Sequence, residues 1–241
     1  MSNEKVQQLA ALVKEFDIID LSRSYEEGMP VWITHPRYFA SVWENQSWGD
    51  SAFSKKIEMG EHNGTHMDSP GHMIPAGDKH YFIDKLDPKK FNGRLLTIDL
   101  PHFLGKEVHI CDAAIIKDWE SKHVPIEAGD LVFIRYGQDD KYGICPNHRD
   151  FVANWGGLSK DGAEYLVSKN ISVAGTDTLS IDALDNADFD AHKTLLGNDV
   201  YVIEVLVNLD KVPAVCFVEA LPVKYKDGSG SPVRVLAYVP R

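Results

Sequence analysis

The chain has 241 residues, of which 44% are hydrophobic, and a formal net charge of −11 at pH 7. This length suits one large domain with a substantial core. The acidic balance disfavours nucleic acid and anionic membranes as partners, because both require a basic surface. The sequence contains no run of 18 apolar residues and therefore predicts no transmembrane helix.

The first residues predict an amphipathic helix rather than a secretory signal. Charged residues are interleaved with apolar ones that recur at helical spacing, at Val6, Leu9, Ala10 and Val13. We expect a single domain over residues 1–241. Its N-terminal helix, over about residues 1–15, would pack on the body of the protein or on another subunit.

The chain has three cysteines, Cys111, Cys145 and Cys216, at wide spacings. They outline neither a disulfide framework nor a CxxC metal site. Sparse cysteines of this kind are typical of a reducing compartment, so we expect a cytoplasmic protein.

Beyond the first helix, apolar runs predict strands more often than helices. Helices are expected over 113–120 and, capped by Ser159, through Ser168. Because they are scattered among the strands, the predicted fold class is α/β, as a mixed, β-rich domain. The strand order does not follow from the sequence. The predicted strands cover residues 16–21, 53–59, 95–100, 131–136, 171–174, 200–207 and 232–239.

The segment from His62 to His72 is unusually rich in groups that bind metals. Neutral imidazole and carboxylate are the nitrogen and oxygen ligands of catalytic zinc and related metals. His62, Gly64, His66 and Asp68 alternate along the chain, so in an extended strand they share one face. The glycines and proline of the segment argue against a helix. We therefore predict a strand that runs into a loop, with His72 arriving from beyond the proline.

A second group of candidates lies downstream. Glu204 falls inside the predicted strand 200–207 between apolar neighbours, where a carboxylate is costly unless it is paired or coordinated. His192 lies twelve positions earlier and is unremarkable by itself. Asp177 either accepts a hydrogen bond from a histidine N–H and so orients that ring, or is simply a turn residue beside Gly175.

These residues carry a resemblance to a known family. His62-x-Gly-Thr-His66-x-Asp68-x-Pro-x-His72 resembles the HxGTHxDxPxH motif of the metal-dependent cyclase-like hydrolases, which include bacterial kynurenine formamidases (arylformamidases) and isatin hydrolases. The segments GMPVW at 28–32, GTDTLSID at 175–182 and GSPVR at 230–234 are also similar to family segments.

The resemblance implies a role for each residue. His62, His66 and Asp68 would bind the metal, and Glu204 would complete the site and bridge two ions in two-metal members. His192 would bind the second metal. His72 would be the catalytic acid and base, and Trp32 would line the substrate pocket. The family implies a swivelling β/β/α-type fold and a homodimer or homotetramer.

The chain also departs from the family pattern. Ile33-Thr34-His35-Pro36 stands where the compact formamidases have a Pro-Gly-Asp turn. The segment 41–51 adds Trp43 and Trp48, and the segment 137–154 is longer than small formamidases need. These segments are candidates for lining the pocket. They therefore bear on the specificity for formylkynurenine and leave the metal chemistry unchanged.

The predicted function is metal-dependent hydrolysis of an amide, lactam or related carbonyl bond in a small aromatic or cyclic molecule. One or two divalent ions, zinc or manganese, would activate water, and His72 would transfer the proton. Trp32, Trp43 and Trp48 would stack on the substrate, unless they belong to the core or to a subunit interface. The alternatives are a kynurenine formamidase of tryptophan degradation, a non-hydrolytic cyclase or dehydratase, and a binding module without catalysis.

The remaining histidines are given no role, because they lie in polar or loop contexts typical of the surface. They are His35, His80, His102, His109, His123 and His148.

Overall fold

The computed structural model describes residues 2–77, 79–100 and 109–241. His102, one of the histidines predicted to lie on the surface, falls outside these residues. Within them, no helix is long and apolar enough to cross a membrane.

Strands dominate the described part of the chain. The helices are α1 (Ser2–Val13), α2 (Ala113–Lys122), α3 (Arg149–Ala153), α4 (Lys160–Ser168) and α5 (Asp190–Leu196). The strands are β1 (Phe16–Asp20), β2 (Phe39–Glu44), β3 (Ser54–Glu58), β4 (His66–Asp68), β5 (Asn92–Asp99), β6 (Ile110–Cys111), β7 (Leu131–Arg135), β8 (Gly157–Leu158), β9 (Val173–Thr176), β10 (Tyr201–Glu204), β11 (Val215–Pro222) and β12 (Gly230–Pro240).

Seven strands close into a barrel. Their order is β12-β11-β5-β7-β9-β10-β4, and pairing of β4 with β12 completes the ring. The neighbours from β5 to β10 run parallel and the other pairs are antiparallel. Strand β1 pairs with the end of β12. Closure removes the open edges that a flat sheet would present.

The apolar run Leu131–Arg135 shows how the barrel is packed. Leu131 and Phe133 belong to a buried cluster inside the barrel, together with residues of β4, β10, β11 and β12. Val132 and Ile134 point the other way and join a second cluster that includes residues of α2, α4 and α5. Because both faces are covered, the strand is continuously hydrophobic rather than alternating.

This architecture confirms the mixed, β-rich α/β fold of the swivelling β/β/α type. The predicted strands all appear, with one shortened at its end. The strand expected over 200–207 stops at Glu204 because Val205 adopts a left-handed conformation, with φ 58°. A β-branched residue rarely adopts this conformation. Hydrogen bonds from Val205 N–H to the Thr178 carbonyl and from the Thr65 hydroxyl to the Val205 carbonyl accompany it.

Inside the barrel, the large ring of Phe133 packs against Gly175, which has no side chain. Phe133 pairs with Gly175 across β7 and β9. A Cβ atom added to Gly175 would lie 2.5 Å from the Phe133 ring. We expect Gly175→Ala to lower the free energy of unfolding by about 1–3 kcal/mol through overpacking. The loss should be smaller in a Phe133→Leu background, by at least about 0.5 kcal/mol.

Urea unfolding of the two single variants and the double variant measures this coupling. Gly77→Ala is the matched control, because the nearest atom to its added Cβ is 3.9 Å away, and it should change stability by less than about 0.5 kcal/mol. Strict additivity of Gly175→Ala and Phe133→Leu would contradict the packing argument.

Candidate metal centre

The register of β4 against β10 brings the predicted ligands together. His66 lies directly opposite Glu204 in the antiparallel ladder, and Asp68 lies opposite Val202. Residues two apart in a strand share a face, so Asp68 and His66 point to the same side. That side is the outer face of the barrel, where Val202 packs in the cluster under the helices. All three polar side chains are buried there.

Two imidazole nitrogens face the two carboxylates. His66 Nε2 lies 3.4 Å from Asp68 Oδ1 and 3.4 Å from Glu204 Oε2. His192 Nε2, from α5, lies 3.3 Å from Asp68 Oδ2 and 3.1 Å from Glu204 Oε1. The structure therefore brings to the site His192, which the family resemblance alone had marked.

The other nitrogen of each ring is held by an acceptor. His66 Nδ1 donates to the Gly64 carbonyl at 2.8 Å. His192 Nδ1 donates to Asp182 Oδ2 at 2.6 Å, and Asp182 also accepts the N–H groups of Ala191 and His192 at the start of α5. These bonds fix the tautomer and leave each Nε2 free to bind a metal.

His62 reaches the site from a turn and not from a strand. Only His66–Asp68 is extended, and Gly64 is left-handed with φ 60°, so the predicted extended segment from His62 was wrong. His62 Nδ1 nevertheless lies 2.7 Å from Asp68 Oδ1, and its Nε2 lies 2.8 Å from Ser229 Oγ. The ring packs on Gly230, where a Cβ atom would approach it to 2.4 Å.

His72 follows a short 3-10 turn, Pro70–His72, and stacks on His62. The two ring centroids are 3.9 Å apart with planes tilted by 31°, and the His72 ring lies 6.0 Å from that of His192. Burial lowers the pKa of His72 to about 3, and the neighbouring imidazoles contribute in the same direction. His72 is therefore neutral near pH 7.

The charges within the cluster compensate one another. Burial alone would lower the pKa of His66, but Asp68 and Glu204 raise it to about 9. Burial likewise opposes the charge on His192, whose pKa the surrounding carboxylates raise well above its usual value. Burial would raise the pKa of Asp68, but the imidazoles of His66 and His62 hold it well below its usual range. Asp68 thus remains ionised although it is buried.

The donor set fits a divalent metal. Asp68 Oδ2 is buried and meets hydrogen-bond geometry with no described residue, which is costly unless a cation binds it. Two groups of potential ligands share Asp68: His62, Asp68 and His72, and His66, Asp68 and Glu204. A shared carboxylate of this kind is suited to bridging two ions, and nitrogen and oxygen ligands suit divalent transition metals.

Asp177 does not orient a histidine, which corrects one expectation. Its two carboxylate oxygens accept the backbone N–H groups of Tyr136 and Gln138, both at 2.8 Å. Burial raises its pKa to about 7. It is thus a turn residue, and Asp182, five positions later in the same segment, holds His192. Position in sequence could not separate the two aspartates.

Of the three tryptophans predicted to bind the substrate, one lies at the metal pocket and two do not. Trp32 lines the pocket in front of the metal ligands together with Phe189 and Leu179. Trp43 and Trp48 lie on the separate β2–β3 hairpin, where they are 70% and 65% exposed. Among the described residues, neither lines the pocket at the metal site. Their assignment to the substrate pocket was wrong for this structure, because the hairpin points them into solvent.

His35 is a residue that sequence reasoning missed. It was expected on the surface, yet it lines the metal pocket and its ring centroid lies 5.6 Å from that of His62. Burial and the nearby histidines His62 and His66 lower its pKa. The only available signal was its place in the segment that departs from the formamidase pattern.

We predict that Asp182→Ala lowers metal affinity by roughly 10-fold to 100-fold, because His192 loses the acceptor that orients it. The measurement is competitive titration with a chelating dye. Asp177→Asn is the matched control from the same segment and should leave metal affinity unchanged even if it lowers the melting temperature. Equal loss of affinity in both variants would show that general destabilisation, and not ring orientation, is responsible.

Comparisons with known proteins agree with this geometry. The family described as "Putative cyclase" matches residues 19–183. The "Isatin hydrolase" of Roseibium aggregatum is 34% identical over 193 residues, covering 76% of this chain and 73% of the relative. The "Kynurenine formamidase" of Erythrobacter litoralis is 27% identical over 222 residues, covering 91% and 92%. The crystal structure of an isatin hydrolase bound to the product analogue thioisatinate superposes with a TM-score of 0.91 and 27% identity over 100% of both chains. The chain therefore belongs to the cyclase family of metal-dependent hydrolases, which the histidine motif had predicted.

Proposed function

We propose that the protein is a metal-dependent hydrolase that opens an amide or lactam bond in a small aromatic or cyclic substrate, as the isatin hydrolases do by name. The observation that carries the proposal is the convergence of three imidazoles on the buried carboxylate of Asp68, with Glu204 facing two of the same rings. The similarity to isatin hydrolase, 34% identical, supports the same chemistry.

The proposed ligands are His62, His66, Asp68, Glu204 and His192. A divalent ion bound there, zinc or manganese, would polarise the carbonyl oxygen and make water nucleophilic near neutral pH. Asp182 and the Gly64 carbonyl hold two of the imidazoles in place, so the donor set is ordered in advance.

His72 transfers the proton in this proposal. Water adds to the carbonyl carbon, the C–N bond breaks, and the proton given up by water passes through His72 to the leaving nitrogen. Support comes from its half-buried position, stacked on His62 beside the proposed metal ligands, and from the need for a base within reach of the attacking water. Trp32 and Phe189, whose rings lie 6.1 Å apart, form apolar walls suited to a planar substrate.

We also propose that the protein works in the cytoplasm as a homodimer or homotetramer, with a small molecule as its substrate. Support for self-association comes from apolar side chains exposed along α1, at Val6, Leu9 and Leu12.

A first prediction separates the hydrolase from its alternatives. The purified protein should contain one or two zinc or manganese ions per chain and should hydrolyse isatin, with activity lost on chelation and regained with metal. Product mass should exceed substrate mass by one water. Preference for N-formylkynurenine would instead favour a kynurenine formamidase, and an unchanged or lower product mass would favour a cyclase or dehydratase.

A second prediction separates the acid–base residue from the ligands. His72→Ala should retain near-normal metal content and lose activity by roughly 100-fold to 10,000-fold. Asp68→Ala should lose metal and activity together. His123→Ala, an exposed histidine stacked on Trp119, is the control and should change neither. Metal analysis beside the assay decides: loss of metal in His72→Ala would make His72 a ligand, and an active, metal-free Asp68→Ala protein would refute the proposal.

A further inference from the structure

A second cavity adjoins the metal pocket. It lies between the segment 27–39 and the segment 145–155, with a volume of about 630 Å³ against about 90 Å³ for the metal pocket. Its lining is mainly apolar and includes Met29, Val31, Trp32, Val152, Trp155 and Leu184. Cavities of this size and character accommodate the apolar parts of small ligands.

The two cavities share a wall. Trp32, His35 and Leu179 line both of them. The centroid of the Trp32 ring lies 6.1 Å from that of Phe189 in the metal pocket and 5.9 Å from that of Trp155 in the second cavity. A molecule whose reacting carbonyl lies in the metal pocket therefore needs to pass only Trp32 and His35 to enter the larger space.

His35 offers a polar group at this junction. Its Nδ1 is buried and has no hydrogen-bond partner among the described residues. Its backbone N–H donates to the Trp32 carbonyl at 2.9 Å, and the Asn63 side chain donates to the next carbonyl, that of Pro36, at 2.9 Å. These bonds hold the backbone that carries the ring, and a polar atom of a ligand would satisfy Nδ1.

We propose that the substrate carries an apolar, ring-sized substituent that occupies this second cavity while its reacting carbonyl lies at the metal, with His35 at the junction between them. This inference rests on the proposed function and specifies its substrate class. Isatin itself would then be a minimal substrate that leaves the larger cavity unfilled.

A third cavity is the competing place for such a substituent. It lies beside His62 and carries Glu58 and Glu61 with the tyrosines Tyr25 and Tyr225. Both cavities have mixed lining, since the second also carries Glu27, Arg37 and His148, and the third is the larger at about 900 Å³. Trp32 and Leu179, however, line both the metal pocket and the second cavity, and neither lines the third. We therefore assign the substituent to the second cavity and use the third as a control.

The test compares isatin with N-benzylisatin, which adds one apolar ring to the same lactam. Hydrolysis of either adds water across the lactam C–N bond and leaves the proton on nitrogen. The metal-loaded protein should prefer N-benzylisatin by roughly 10-fold to 100-fold in kcat/KM, since burying one such ring changes an equilibrium by that factor. Calorimetric binding of both compounds to metal-loaded His72→Ala protein gives a second readout that needs no turnover.

Three tryptophan substitutions locate the substituent. Leu184→Trp fills the second cavity from its partly exposed rim. It should bring the ratio of N-benzylisatin to isatin toward one, both in kcat/KM and in binding affinity. Ile57→Trp fills the third cavity and should leave the preference intact. Leu221→Trp, at a comparably exposed leucine on β11, should also leave it intact. Val152→Phe, within the second cavity, repeats the test if the new tryptophan turns outward.

The outcomes distinguish this inference from the proposed function. Equal or better use of isatin, unchanged by Leu184→Trp and Val152→Phe, would overturn the inference and keep the hydrolase. Loss of preference in Ile57→Trp alone would move the substituent to the third cavity and also overturn it. If neither compound is hydrolysed, the proposed function fails for these lactams. Calorimetric binding of the two compounds then decides by itself whether the substituent occupies the second cavity.

Discussion

The antiparallel pairing of the three-residue strand β4 with β10 and β12 is the contact on which both the fold and the site depend. It closes the seven-stranded ring. The same register sets His66 opposite Glu204 on β10, and Asp68 opposite Gly230 on β12. Because Gly230 has no side chain, the His62 ring fits above it and reaches Asp68. A shift of one residue would turn His66 and Asp68 into the barrel interior and Met67 out of it.

Burying two carboxylates beside three imidazoles requires compensation, and the structure supplies it in two layers. The imidazoles hold Asp68 in its ionised form, and outside them the Gly64 carbonyl and Asp182 fix two of the rings. Glu204 additionally accepts the Ile181 N–H at 2.7 Å. Local backbone strain surrounds the same residues: Val205, next to Glu204, and Phe189, before the helix that carries His192, are both left-handed. Strain of this kind gathers where the surroundings hold a functional side chain in one place.

Much of this could be read from the sequence, and the failures have physical causes. Strand periodicity and the spacing of His66 and Asp68 predicted their common face, since that depends only on local geometry. The turn at His62 depends on the left-handed Gly64, and glycine also fits an extended strand. Exposure of Trp43 and Trp48, like the approach of His35 to His62, depends on where a hairpin and a loop pack in three dimensions. Choosing Asp182 over Asp177 required knowing which of the two carboxylates accepts the N–H groups at the start of α5.

The shortness of β4 has a consequence for how the barrel behaves thermodynamically. Three residues form a small cooperative unit, so the closure of the ring is among the weaker joints of a barrel in which β11 and β12 pair over six residues. His66 and Asp68 lie in that joint, whereas Glu204 and His192 belong to β10 and α5 beside it. An ion that binds the closed arrangement and not the opened one adds a free energy of RT ln(1 + [ion]/Kd) to closure. Ion concentration and barrel integrity are then linked variables, and the cellular supply of the ion becomes a determinant of how long the folded protein persists.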